Sequence, residues 1–176
     1  MNKVYLNGEF LDANEAKISP MDRGFLFGDG IYEVIPTYSG KPVGLNLHLE
    51  RMKNGLQNVG INYALDTELW ADIIQQLISQ QTSVSQGVYV HVSRGTDVKR
   101  FHAYPKNIAP TVFAYAFDTP PSQDASSENV KGFHVTTGQD LRWQRCHIKS
   151  TSLLGNVMHF QQGQEAGVDE IILYNE

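Results

Sequence analysis

The stretch Gly87-Val-Tyr-Val-His-Val-Ser-Arg94 constrains this chain more than any other. Val88, Val90 and Val92 alternate with Tyr89, His91 and Ser93, the period of a β-strand that puts one face on a core. Thr111-Val-Phe-Ala-Tyr-Ala-Phe117 repeats the pattern, with small residues on one side and aromatics on the other. Such strands require a sheet, and the surrounding segments must supply its other members and its cover.

Those members are legible. Val4-Tyr5-Leu6 and Glu9-Phe10-Leu11 flank Asn7-Gly8, a hairpin signal because both turn positions favour φ > 0. A further strand is predicted from Ile31 to Tyr38, with Tyr32 and Val34 on one face and Ile31, Glu33 and Ile35 on the other. Gly24, Gly28 and Gly30 precede it. Their spacing fits neither a Walker loop nor a dinucleotide fingerprint, so they are read as allowing a tight turn into the strand.

The cover is helical. Leu45, Leu49, Met52, Leu56 and Val59 recur at steps of three and four, which predicts a helix from Leu45 to Val59. A second starts at Asp66-Thr67-Glu68, with Leu69, Ile73, Ile74, Leu77 and Ile78 as its buried face. Asp118 to Asn129 contains Pro120-Pro121 and is otherwise polar, a linker by composition. The expected organisation is α+β: a two-layer N-terminal domain over 1–118, a linker over 119–129, and a second domain beginning at 130. Lys131 to Thr137 opens a strand there. Ser150, Thr151 and Ser152 are placed to cap a helix carrying Leu153, Leu154, Val157 and Met158, which Gly167 closes. Glu170 to Glu176 is strand-like, with nothing after it to pair with.

Composition narrows the function. The net charge is −5 and no basic cluster stands out, so nucleic acid is not an expected partner. No apolar run approaches the ~18 residues of a membrane span. The N-terminus turns polar at Asn7-Gly8, so no signal peptide is expected and the expected location is cytoplasmic. A single cysteine, Cys146, precludes an internal disulfide and is read as a buried small residue. His91, His134, His147 and His159 lack metal-ligand spacing, so no metal site is expected.

Three motifs carry a resemblance: Asp22-Arg-Gly-Phe-Leu-Phe-Gly-Asp-Gly-Ile-Tyr-Glu-Val34, Ser93-Arg-Gly-Thr-Asp-Val-Lys-Arg-Phe-His-Ala-Tyr-Pro105, and the run from Asp140 through Lys149 to Gly155. Together, in register and over nearly the whole chain, they resemble the class IV (fold type IV) pyridoxal-phosphate aminotransferases. Among these, the sequence looks most like the D-amino-acid transaminases. The resemblance implies that Lys149 forms a Schiff base with pyridoxal 5'-phosphate. Arg51, with His48 three residues before it, would contact the cofactor phosphate, for which a planar guanidinium fork is suited. Tyr32 would help to hold the substrate carboxylate. Arg100 and His102 would trap that carboxylate by reaching into a neighbouring subunit's site, which implies a homodimer with a shared active site. The substrates implied are a D-alanine-like amino acid and a 2-oxo acid such as 2-oxoglutarate.

The same resemblance implies that family members continue well past Glu176. Residues 130–176 would then be the incomplete start of a barrel-like α/β domain, and this portion alone would be inactive. Without the motifs, other readings stand. Lys149 and Arg51 could be solvated surface groups, Tyr32 a packed strand tyrosine, and Lys99, Arg100 and His102 an ordinary basic loop. His48 supports Arg51 or is a packed histidine. Competing functions are a branched-chain aminotransferase or 4-amino-4-deoxychorismate lyase of the same fold, and, from another class, a non-catalytic dimerising module.

Overall fold

Strand β1 (Lys3–Leu6) turns through Asn7 (φ 50°) and Gly8 (φ 103°) into β2 (Glu9–Asp12), the hairpin that Asn-Gly favours. The computed structural model describes residues 3–121, 130 and 132–175. It divides into two compact units, residues 1–121 with 148–151, and residues 122–147 with 152–176. The linker expected over 119–129 lies outside the described residues from 122 onward, as does Lys131.

In the first unit a short helix, α1 (Arg23–Phe27), leads into β3 (Gly30–Tyr38) and the two-residue β4 (Lys41–Pro42). Helices α2 (Leu45–Asn58) and α3 (Thr67–Ile78) follow, then β5 (Ser85–Ser93) and β6 (Thr111–Asp118). The strands form one antiparallel sheet in the order β2-β1-β6-β5-β3-β4. Its alternation is the one read from the sequence. Ile31, Ile35, Val88, Val90, Val92, Ala114 and Ala116 all lie in the core. Leu49, Met52 and Leu56 of α2 pack onto them, and Gly55 lets the helix approach so closely that an added Cβ would lie 3.1 Å from Ile31 Cγ2.

Helix α3 is capped by Asp66, whose side chain accepts from the Leu69 N–H at 2.9 Å. Its buried stripe differs from the expected one at one position. Leu69 is half exposed, and Trp70, fully buried, takes its place beside Ile73, Ile74 and Leu77. Leu69 falls at the edge of that stripe, where the 3.6-residue period turns it outward.

The three glycines leading into β3, the last of them its first residue, do more than permit a turn. Gly28 caps α1 in the left-handed region (φ 65°). Gly24 and Gly30 instead admit close packing: added Cβ atoms would lie 2.8 Å from Ser93 Cβ and 3.0 Å from the Val92 carbonyl oxygen. His91 is pressed against both, and Tyr89 Oη lies 3.1 Å from its Nδ1. Burial lowers the His91 pKa, partly opposed by the Asp22 carboxylate, and pushes that of Tyr89 up to about 12. Folding therefore favours neutral His91, while the unfolded chain binds its proton near the ordinary value of about 6.5. The sign follows: the stabilisation is complete above that value and falls as pH drops below it. Replacing His91 with Gln is expected to narrow the gap between the melting temperatures at about pH 7.5 and about pH 5. An unchanged gap would refute this account.

The second unit holds β7 (Val135–Gln139), α4 (Leu154–Glu165) and β8 (Glu170–Tyr174), with β7 and β8 paired in parallel from Val135↔Glu170 to Gln139↔Tyr174. Four expectations change here. The final run pairs with the earlier strand β7, and that strand starts at Val135, later than read. The N-cap of α4 is Leu153, without a side-chain bond, and Ser150 and Thr151 bond to the β3 edge instead. Leu154, Val157 and Met158 are exposed, while α4 buries His159 and Gly163. Cys146 is exposed, its Sγ 2.9 Å from the Trp143 carbonyl oxygen. The close of the helix is as read: Gly167 adopts φ 71°, its N–H donates to the Gln164 carbonyl, and that of Val168 donates to Gly163.

Candidate active site

A strand at a sheet edge leaves N–H and C=O groups unpaired. The start of β3 is such an edge, because β4 pairs only with Thr37 and Tyr38. Residues 148–151 fill it. The Tyr32 N–H donates to the Lys149 carbonyl (3.1 Å), Ile31 bridges Ser150, and the Thr151 N–H donates to the Gly30 carbonyl (3.0 Å). The Thr151 hydroxyl donates to Gly28 O at 2.9 Å, so this hydroxyl secures the edge and not the helix. Ile148 is buried in the core and strand-like alternation turns Lys149 the other way. Its Nζ ends 4.1 Å from the centroid of the Tyr32 ring, whose face attracts a cation. Tyr32 in turn stacks on Tyr89 at 5.7 Å.

Next to Tyr32, on the core side of β3, Glu33 is completely buried. It is held by charge-assisted bonds. Arg51 Nε and Nη2 donate to its two oxygens, each at 2.6 Å, and His48 Nδ1 lies 2.9 Å from Oε2. That bond to Glu33 raises the Arg51 pKa. His48, left open by the sequence, therefore shares a carboxylate with Arg51. The arginine side chain remains 54% exposed, and its remaining N–H groups are not used by Glu33. Glu33 is a site residue that the sequence reading passed over. The available signal was its parity: a carboxylate between Ile31 and Ile35 on the core face needs a cationic partner.

Arg100 and His102 gather elsewhere, on Phe27. Arg100 Cζ is 5.0 Å from that ring's centroid and the His102 ring 5.4 Å. Thus the structure joins Tyr32 with Lys149, and Arg51 with His48 through Glu33, while Arg100 and His102 form a separate cluster on the 94–110 loop. The supports of that loop, Arg23, Asp29 and Arg94, were also missed; they are far apart in sequence and carry no periodic signal.

The first unit thus lays helices on an antiparallel sheet and presents a lysine amine over a strand tyrosine, with an arginine fixed on the buried carboxylate next along that strand. The chain superposes on the branched-chain amino acid aminotransferase of Escherichia coli with a TM-score of 0.83 at 17% identity, over 99% of this chain and 60% of that one. It superposes on the branched-chain aminotransferase of the thermophilic archaeon Thermoproteus uzoniensis, solved with norvaline, at a TM-score of 0.81 and 17% identity, over 98% of this chain and 59% of that one. At such identities the likeness concerns the fold.

The sequence takes the identification further. Residues 30–176 match the model of the amino-transferase class IV family, and the chain belongs to that family. It is 38% identical over 160 residues to a D-alanine aminotransferase of Staphylococcus haemolyticus, an alignment covering 90% of this chain and 55% of the relative. The chain thus spans little more than half the length of that relative.

Proposed function

We propose that the protein to which this chain contributes transfers the amino group of a D-alanine-like amino acid to a 2-oxo acid such as 2-oxoglutarate, using pyridoxal 5'-phosphate. The observation that carries this reading is the placement of Lys149: its backbone is pinned to the β3 edge while its amine lies over Tyr32. The similarity to D-alanine aminotransferase supports the choice of substrate class.

The residues present fit such a cofactor. A primary amine on a fixed backbone can join an aldehyde. A half-exposed guanidinium, oriented by a buried carboxylate, can accept a phosphate on its remaining N–H groups. When bound, the cofactor supplies the electron sink that makes the substrate Cα–H acidic. The chain does the rest. Lys149 Nζ would anchor the cofactor and, once displaced from it by the incoming substrate amine, would be free to take and return the proton at the reacting carbons. Arg51, which shares Glu33 with His48, would hold the phosphate end. Tyr32 donates its hydroxyl to the substrate carboxylate, and Arg100 and His102 complete that grip across a homodimer interface.

Borohydride reduction of the cofactor-loaded full-length protein, followed by peptide mapping, tests the reading. A pyridoxyl group is expected on Lys149; labelling of another lysine, or of none, would sink it. Activity with D-alanine and not L-leucine separates it from the branched-chain alternative.

A further inference from the structure

Arg23 opens α1, and its side chain is only 3% exposed. A guanidinium so deep requires polar partners in several directions. Nε donates to Asp29 Oδ2 at 2.8 Å. Nη1 donates to the Phe101 carbonyl at 2.6 Å and Nη2 to the His102 carbonyl at 3.3 Å. Asp97 Oδ2 lies 3.9 Å from Nη1. The same Asp29 carboxylate also receives Nε and Nη2 of Arg94, at 2.8 and 3.0 Å. Arg94 continues outward, donating to the Val59 and Gly60 carbonyls at the end of α2 and lying 3.6 Å from the centroid of Tyr104. Two guanidiniums and two carboxylates therefore bind α1, α2 and the 94–110 loop together, with charges that balance.

The place where this network meets the loop matters most. Arg23 grips the carbonyls of residues 101 and 102, which flank the His102 α-carbon. The guanidinium also lies over the Phe27 ring at 4.8 Å, the ring that both Arg100 and His102 contact. Rotating these carbonyls would swing the His102 side chain, and Arg100, two residues before it, packs on the same Phe27 ring. We propose that Arg23, braced by Asp29, is a positioning residue for the substrate-carboxylate grip: it fixes the loop backbone so that Arg100 and His102 are oriented before substrate arrives. The inference rests on the reading of those two residues as carboxylate ligands. Ordering the loop in advance removes an entropic cost from binding. Lysine cannot do this, because a point ammonium lacks the fork that spans two carbonyls and a carboxylate.

The test uses the full-length protein loaded with cofactor, and the variants Arg23→Lys, Arg23→Met, Asp29→Asn and Arg100→Ala. It measures KM and kcat for D-alanine, the inhibition constant of propionate (a carboxylate without an amine), and cofactor content. Arg23→Lys is expected to raise KM and the propionate constant by about tenfold while cofactor content is kept and kcat changes by less than about threefold. Asp29→Asn should shift the same two constants less, and serves where an Arg23 variant does not fold. In the Arg100→Ala background, Arg23→Lys should add little, because the grip it orients is already lost. If Arg100→Ala itself leaves both constants unchanged, the carboxylate-grip reading fails. If Arg100→Ala raises them while the Arg23 and Asp29 variants do not, or if the Arg23 and Arg100 effects add in full, the positioning role is overturned.

Discussion

Replacing Lys149 with alanine in the full-length protein is expected to lower kcat for D-alanine by at least ~10²–10⁴-fold, the contribution of a positioned proton-transfer group alone. On the proposed reading, loss of a cofactor anchor would add to this. The fold should be spared. The contacts that secure residue 149 to β3 come from its backbone: the carbonyl accepts from Tyr32 N–H, and the flanking Ser150 and Thr151 hold the same edge. Alanine keeps all of these and forfeits only the amine over the Tyr32 ring, a cation–π contact of about 0.5–2 kcal/mol. Compared without cofactor, the variant should therefore unfold at nearly the wild-type temperature while turning over at least ~10²-fold more slowly when loaded. Turnover within tenfold of wild type would remove Lys149 from the chemistry, and a collapse in melting temperature would show that its side chain is structural.

The second large effect is on stability. Gly95 follows β5 at φ 107°, and a Cβ built there would lie 1.9 Å from the Ala109 carbonyl oxygen. That atom is backbone at the far end of the loop and cannot rotate away. Gly95→Ala thus combines a backbone region costly for any L side chain, about 1–3 kcal/mol, with overpacking of similar size. A loss of about 2–6 kcal/mol is expected, at about 2–4 °C of melting temperature per kcal/mol for a chain of this length. Gly8→Ala is the matched control. Its φ is 103°, but nothing lies within 4 Å of the added carbon, so only the backbone cost remains. Equal losses at the two positions would show that the contact with Ala109 yields freely. Gly95 also opens the loop that carries Arg100 and His102, and its carbonyl accepts from Arg23 N–H, so a shift there should raise KM as well.

The sheet was legible because its signal is local and repetitive. A period of two in β5 and β6, Asn-Gly in the first hairpin and a 3.6-residue stripe in α2 each fix which way side chains face, whatever the rest of the chain does. The errors arose where one residue must be assigned between two possible partners. The run Ser150–Ser152 stands before an apolar-periodic segment and reads as a helix cap, yet Ser150 and Thr151 close a strand edge. Cys146 reads as buried from its type and lies at the surface.

At the candidate site, identities and motifs could be read from the chain alone: a lysine at 149, a tyrosine at 32, an arginine at 51, and the Arg100–His102 pair. The packed fold was needed to see that Lys149 is delivered to Tyr32 by edge pairing, that Arg51 is braced on a buried Glu33, and that Arg23 reaches across to the carbonyls of residues 101 and 102. The physical reason is range. Side-chain periodicity is set by backbone geometry between near neighbours, whereas a buried charge is satisfied by whichever partner the packed chain brings within hydrogen-bonding distance, and sequence separation does not limit that choice.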